Sequence, residues 1–344
     1  MKYLLKPAVA ATALAVTVFA GNAAAVPLSQ LYFSQSAGWV DPRADGDTNT
    51  GFFGGTNTEF SMTGTEASGG AGPGPDGTYT GMQWRGAPGT TSDPNPFSQI
   101  SIESYNDTES NSLYGASGTS VSDLNQEFAN TGQWNAGEFW VIDELIQENN
   151  VLFGPASQFP NPLWRADTLA DLRIFTNAGR TTQLLRDFPS TTRIEFWETV
   201  NTEGFDDCTP TDPYATIDDE PWGPCADRYR VGLGEFAAIS EALDGYLYTI
   251  SFTLFPGAVE DSAGNVITDG SGNPISTIVD VDPTGTGEFI DVYTPEIAPG
   301  FSKLYVAASW NVQKIPEPSI LGLFGIGMLG LGLTAARRRK HKQS

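Results

Sequence analysis

Histidine is almost absent from this chain: of 344 residues one is histidine, His341, close to the C-terminus. A Ser-His-Asp or Cys-His nucleophile and a histidine-ligated zinc or copper centre all need imidazole, so the 340 residues before it can host none of them. Cysteine is nearly as scarce, with Cys208 and Cys225 alone. In an oxidising compartment these two pair, and closing a loop of that size contributes about 3 kcal/mol. Positive charge is also short, at 18 Lys and Arg against 41 Asp and Glu for a net charge of −23. Between residues 26 and 314 the imbalance is larger, with 40 acids and 11 bases, near −29. Such a surface repels nucleic acid and anionic lipid, which bind through Lys/Arg patches, and suits solubility and cation binding. Long apolar runs occur only at the two ends.

At the N-terminus Lys2 and Lys6 precede the apolar stretch Ala8–Ala20, and Ala23-Ala24-Ala25 follows. That is the charged, apolar and small-residue order of a secretory signal peptide at 1–25, with cleavage after Ala25 leaving Val26 as the first mature residue and passage through the Sec translocon. At the other end Pro316-Glu317-Pro318 precedes an uncharged run, Ile320–Ala336, and the cluster Arg337-Arg338-Arg339-Lys340. The prolines force any helix to start after Pro318, and 17 residues at 1.5 Å each reach about 26 Å, close to the hydrocarbon thickness of a bilayer. The basic cluster keeps the C-terminus in the cytoplasm. Residues 314–344, in this order of Pro-Glu-Pro, Gly-rich transmembrane helix and Arg cluster, resemble the PEP-CTERM sorting signal of Gram-negative bacteria. The resemblance implies recognition by an exosortase through Pro316, Glu317, Pro318, Arg337, Arg338 and Arg339. It also implies a transient single-span intermediate in the inner membrane, and a destination at the cell surface or outside the cell. The other reading of the same residues is an ordinary tail anchor.

Between the two ends, strand patterns dominate. Tyr246–Phe255 sets Tyr246, Tyr248, Ile250, Phe252 and Leu254 on one face, and Ser302–Gln313 does the same with Leu304, Val306, Ala308, Trp310 and Val312. Period two over that length is a strand. Ser98–Tyr105, Ala170–Asn177, Arg193–Val200 and Tyr229–Phe236 read as shorter strands, Glu138–Leu152 as strand or short helix, and Asp167–Arg173 as a helical turn. Residues 34–96, rich in Gly, Thr, Pro and Asn, read as a long loop with short strands near Glu59–Met62 and Tyr79–Arg85. The expected architecture is mainly β: a loop-rich part at 26–97, then an antiparallel sandwich or jelly-roll at 98–313, with long Gly/Pro-rich loops. Asp261-Ser262-Ala263-Gly264-Asn265 recurs as Asp269-Gly270-Ser271-Gly272-Asn273, and two successive Asx/Gly turns explain it, with a calcium-binding repeat as the sharper alternative.

A second resemblance spans about residues 80–313. The segment Gly137–Leu152, then Pro162–Leu169, Ile194–Asn201 and the Cys-bracketed loop ending at Asp227, is similar to a PEP-CTERM subfamily named for a Thr-His-x-Asn motif. In this chain Ile146-Gln147-Glu148-Asn149 stands at that motif, so Asn149 fits and the Thr and His are replaced. The resemblance implies a β-rich surface domain and no particular activity.

Carboxylates and tryptophans are the remaining candidates. Asp206, Asp207, Asp218, Asp219 and Glu220 crowd the Cys loop, as a solvated acidic loop or a calcium site built of oxygen ligands; apart from possible calcium no cofactor is expected. Asp45–Gly51 opens like a calcium loop but has Thr50 at the sixth position and Thr56 at the twelfth, which favours a plain turn. Glu138, Asp143, Glu144, Glu148, Glu195 and Glu198 are the acid–base pool available to a glycosidase. Trp134, Trp164 and Trp222, expected in loops, could stack on sugars, whereas Trp197 and Trp310 are expected in the core. The reading that follows is an exported, non-enzymatic protein of the surface or extracellular polysaccharide matrix. A carbohydrate-binding module and a carboxylate glycosidase are the alternatives.

Overall fold

Residues 25–44, 47–55, 58–68, 74–86, 97–105, 112–113, 134–150, 162–198, 226–269, 271–281, 286–295 and 300–315 are described by the computed structural model. They form 17 strands: β1 (Gln30–Val40), β2 (Gly51–Phe52), β3 (Glu59–Thr63), β4 (Thr78–Tyr79), β5 (Gly81–Arg85), β6 (Ser98–Ser104), β7 (Ser112–Leu113), β8 (Trp134–Asn135), β9 (Phe139–Asn149), β10 (Trp164–Phe175), β11 (Gln183–Trp197), β12 (Ala226–Gly232), β13 (Ile239–Leu243), β14 (Tyr246–Glu260), β15 (Ile278–Val281), β16 (Phe289–Pro295) and β17 (Gly300–Lys314). One antiparallel sheet runs β15-β16-β12-β11-β10-β1-β4, with β2 on β10 and β8 on β1. The other runs β13-β14-β17-β9-β6-β5-β3, with β7 on β9.

Two compact units result, the larger from Ser29–Glu241 with Thr249–Asn311 and the smaller containing Ala242–Tyr248 and the flanks of Leu28 and Val312. In the larger unit the sheets enclose one core. Trp39, Ala166, Ile194, Phe196, Tyr229 and Val292 from the first sheet join Met82, Trp84, Ile100, Ile102 and Leu145 from the second. Alternation explains this set: residues two apart on β5, β6, β10, β11 and β12 all turn inward. Trp164 is the hub, stacked on Phe196 at 5.0 Å and edge-on to Trp39 at 5.8 Å and Trp84 at 5.6 Å. In the smaller unit Asp244 (φ 51°) and Gly245 (φ 80°) make the tight turn between β13 and β14, the left-handed pair that a two-residue hairpin requires. The Ile315 amide donates to the Gly245 carbonyl at 2.8 Å, and the Tyr246 hydroxyl to that of Ala25 at 2.9 Å.

Three expectations need correction and one ambiguity is settled. Asp167–Arg173 is not a helical turn but the middle of β10, paired residue by residue with β11 and bulged between Ala170 and Leu172. Of the two readings of Glu138–Leu152 the strand holds for Phe139–Asn149, since β9 is paired on both sides by β17 and β6. Tyr229–Phe236 is strand only to Gly232, and Leu233–Phe236 closes into a 3-10 turn. The stretch read as loop from residue 34 instead begins inside β1, which holds Leu31, Phe33 and Trp39 fully buried and pairs with β10 along eight residues. The repeated turns are as expected: Asp261 Oδ1 accepts from the amides of Ala263 and Asn265 at 2.8 and 2.9 Å, and Asp269 Oδ1 from those of Ser271 and Asn273 at 2.8 Å each.

Gly81 in β5 shows how closely the strands approach. A Cβ there would sit 2.4 Å from the backbone oxygen of Ile100. Gly81→Ala is expected to cost about 1–3 kcal/mol, measurable as a lowered midpoint in urea at unchanged slope.

Candidate functional site

Strand β9 carries polar residues into the sandwich interior. Its register against β17 shifts between Val306 and Ala307, which face Asp143 and Val141, so Ile142 is an extra residue on β9. Such a bulge resets which side chains point in. Before it Trp140 faces the core against Phe33; after it Asp143, Leu145, Gln147 and Asn149 do. Glu144 and Glu148 are left on the outer face, where Tyr105 donates to Glu144 and Gln99 donates to Glu148 at 2.6 Å.

Asp143 is buried among donors from two other strands. Ser104 Oγ of β6 donates to its Oδ1 at 2.6 Å, and Gln35 Nε2 of β1 to its Oδ2 at 2.7 Å. Burial pushes the carboxyl up to about 6, against the pull of those two hydrogen bonds. Beside it lies an inter-sheet cavity of about 80 Å³, walled by Ile142, Leu172, Phe252 and Phe236 and edged by Thr192 and Glu235. Burial and repulsion from Asp167 raise the Glu235 carboxyl, while Arg193 opposes them. Gln35 Oε1, on the same cavity, is buried without a hydrogen-bond partner.

Further along β9, Gln147 Nε2 donates to Asp227 Oδ2 of β12 at 3.0 Å. Asp227 lies directly across from Thr294 of β16, and Arg228, its neighbour, across from Trp197 of β11. Glu198 follows Trp197 and accepts from Trp84 Nε1 at 2.7 Å. Asp227 is 0% and Glu198 4% exposed, so two carboxylates sit inside this end of the sandwich. Burial first, then the charges of Asp227 and Glu198, raise the Tyr229 hydroxyl far above its usual value, so it stays protonated and can donate. The residues that stand at the motif positions, Gln147 and Asn149, thus face inward as part of one polar layer. Sequence reasoning placed Asp143 and Glu198 in a pool of catalytic acids and Asp227 beside the acidic Cys loop, and gave Gln147 no role beyond its motif position. The available signal was the i, i+2, i+4 polar series Asp143, Leu145, Gln147, Asn149 inside an otherwise apolar strand.

The other candidates fall elsewhere. Glu138 closes a surface turn, accepting from the Asn135 amide at 3.0 Å, and Glu195 pairs with Arg165 at 2.7 Å on the outside of its sheet. Asp47 likewise belongs to a turn, bonded to the Asn49 amide at 2.8 Å and to Arg193 at 2.6 Å. Trp134 and Trp164 are not sugar platforms: both are fully buried, because β8 and β10 turn them into the core, where Trp134 Nε1 donates to the Glu138 carbonyl at 2.9 Å. Trp310 is buried as expected, whereas Trp197 is partly exposed, with the Arg228 guanidinium 4.2 Å over its ring. Cys208, Cys225, Asp206, Asp207, Asp218, Asp219, Glu220, Trp222 and Ala23 lie outside the described residues, as do Pro316, Glu317, Pro318, Ile320–Ala336 and Arg337–Arg339. Ala25 and Val26 are described, and Val26 is 83% exposed. Among the described residues no three acids, cysteines or histidines converge, and no helix is long and apolar enough to cross a membrane.

A family model for the PEP-CTERM protein-sorting motif matches residues 314–340. No curated protein and no solved structure matches the chain.

Proposed function

From a chain that carries a PEP-CTERM protein-sorting motif, and is thereby an exported protein directed to an exosortase at the membrane, we propose a non-enzymatic adhesive or structural protein of the cell surface or extracellular matrix. The observation that carries this reading is the junction between fold and signal. Strand β17 runs to Lys314, the Ile315 amide is held by Gly245, and the motif match begins at residue 314. Five residue steps from Ile315 to Ile320 allow at most about 18 Å, so the exported domain stays at the bilayer until the chain is cut near Pro316-Glu317-Pro318, and leaves the membrane when it is.

Two further features support an adhesive or structural role. The described interior is filled mainly by aromatic and aliphatic side chains. The net charge near −29 between residues 26 and 314 favours divalent cations as bridges to an acidic matrix.

The test is the intact mass and cell fraction of the protein in its host, with and without a working exosortase. The expected mass runs from Val26 to near Pro316 and is found outside the cell only in the strain with the enzyme. A species that retains Arg337–Arg339 in the membrane of both strains overturns the reading. Matrix retention of the released form, reduced by a calcium chelator, is expected for the adhesive role, and free diffusion into the medium under all conditions contradicts it.

A further inference from the structure

We propose that the outer face of the first sheet, centred on β10, β11 and β12, is a self-association surface that docks a second copy of this chain. Association there requires no exosortase processing.

Between residues 26 and 314 there are 11 bases against 40 acids. Six of the 11 are arginines on this one face: Arg165 and Arg173 of β10, Arg186 and Arg193 of β11, and Arg228 and Arg230 of β12. Period two puts them there, because their neighbours Trp164, Ala166, Ile194, Phe196, Tyr229 and Val231 fill the core. Acids on the same face match them. One row across five strands reads Asp280, Asp291, Arg230, Glu195 and Arg165, each directly opposite the next. Arg193 bridges Asp167 and Asp47 at 2.9 and 2.6 Å, and Arg173 and Arg186 share Asp171. These six arginines and six acids cancel, so the whole excess of about −29 belongs to the rest of residues 26–314.

That balance decides what can dock. Two chains of this charge repel over most of their surfaces, and in physiological salt the repulsion reaches about 8 Å. Close contact is least opposed where the local charge cancels. A polyanion gains little from a face without net positive charge, and a basic partner is drawn to the acidic remainder instead. A balanced patch that carries both signs can be self-complementary, as an isologous contact between two copies must be.

Composition and area agree. Arginine and aromatic side chains are enriched at protein–protein contacts and lysine is depleted, and every base on this face is arginine. Phe188 and Phe53 are 45% and 41% exposed, with the Arg186 guanidinium 4.4 Å over the first ring and that of Arg165 5.7 Å over the second. Trp197 lies under Arg228 at 4.2 Å and Arg230 at 5.6 Å. A guanidinium stacked on a ring is held in place while its N–H edge stays free to donate to a partner's carboxylate or carbonyl. Each strand residue covers about 16 Å², roughly 3.3 Å by 4.8 Å, so the strands from β15 to β1 span about 900 Å². A stable interface takes about 800 Å² from each partner.

The full-length protein in dodecyl maltoside is followed by sedimentation velocity in physiological salt over a hundredfold range of concentration. Two chains per particle, separating on dilution, are expected. Phe188→Ser removes an exposed ring and Arg186→Glu breaks the charge balance, and each is expected to weaken the association about tenfold or more. Arg85→Glu, which alters a pair with Glu59 on the other sheet, is expected to leave it unchanged. Phe188→Ser keeps the test valid if Arg186→Glu, which sets a second acid beside Asp171, fails to fold. A single chain at every concentration overturns the proposal. A dimer that survives both face variants does so too, since it places the contact elsewhere, such as the anchor. A monomer that binds alginate and loses it in the same two variants also overturns it, and gives the face to an acidic polysaccharide.

Discussion

Trp164→Ala is expected to lower the free energy of unfolding by about 4 kcal/mol, the largest single-residue loss in the domain. Trp164 is fully buried, stacked on Phe196 at 5.0 Å and 21°, in edge contact with Trp39 and Trp84 at 5.8 and 5.6 Å, and tilted against Tyr229 at 6.0 Å. Removing the indole deletes apolar burial, four ring contacts and the filler between two sheets whose separation is held by their other members, so the space does not collapse. Trp197→Ala is the control. Its ring lies on the outer face under Arg228 at 4.2 Å, and losing a partly exposed cation–π contact costs about 1 kcal/mol. Urea unfolding followed by far-ultraviolet circular dichroism measures both. Equal losses would mean that the aromatic cluster is not the centre of the core. The same experiment separates a folding role from sugar binding: Trp164→Ala is expected to fail by unfolding, not by losing a ligand while folded.

What could be read in the sequence was whatever a single strand determines alone. Tyr248 and Ile250 of β14, and Ala308 and Trp310 of β17, are buried on the faces that period two assigns them. Bulges broke the pattern elsewhere. In β9 the extra Ile142 puts even-numbered Trp140 and odd-numbered Asp143 on the same side, so strict alternation fails and the segment reads as ambiguous. In β10 the Thr-Leu-Ala-Asp-Leu run has helical propensity, but strands on both sides claim its backbone hydrogen bonds and override it. Trp134 and Trp164 were misread because Asn and Pro neighbours mark turns without saying which way the next side chain points. The polar layer was the least legible part. Gln147 is 80 positions from Asp227 in the chain, and only the pairing of sheets brings them together.

Asp143 supplies the second large effect, with the opposite sign. The folded carboxyl titrates near 6 against a usual 3.8 because burial penalises the charged form. The folded chain therefore holds this proton more tightly than the unfolded one. The contribution favours folding fully below about pH 4 and is lost as pH rises through 6, so that at pH 7 the buried charge costs about 3 kcal/mol. Asp143→Asn removes the charge and keeps the shape. Ser104 can still donate to the remaining oxygen, and Gln35, whose Oε1 has no partner, can turn its amide over to accept from the new Nδ2. The variant is expected to gain about 1–3 kcal/mol at pH 7 and close to nothing at pH 4, measured by urea unfolding at the two values. Asp171 provides the contrast. Although partial burial works against it, Arg186 and Arg173 hold its carboxyl down at about 2, so its contribution is present above pH 4 and is lost as pH falls through 2. Asp171→Asn is therefore expected to destabilise at pH 7, where Asp143→Asn stabilises. If both changes destabilise at pH 7, the inward carboxylate of β9 carries a compensating positive charge, and the cavity beside it is the place to look for the ion.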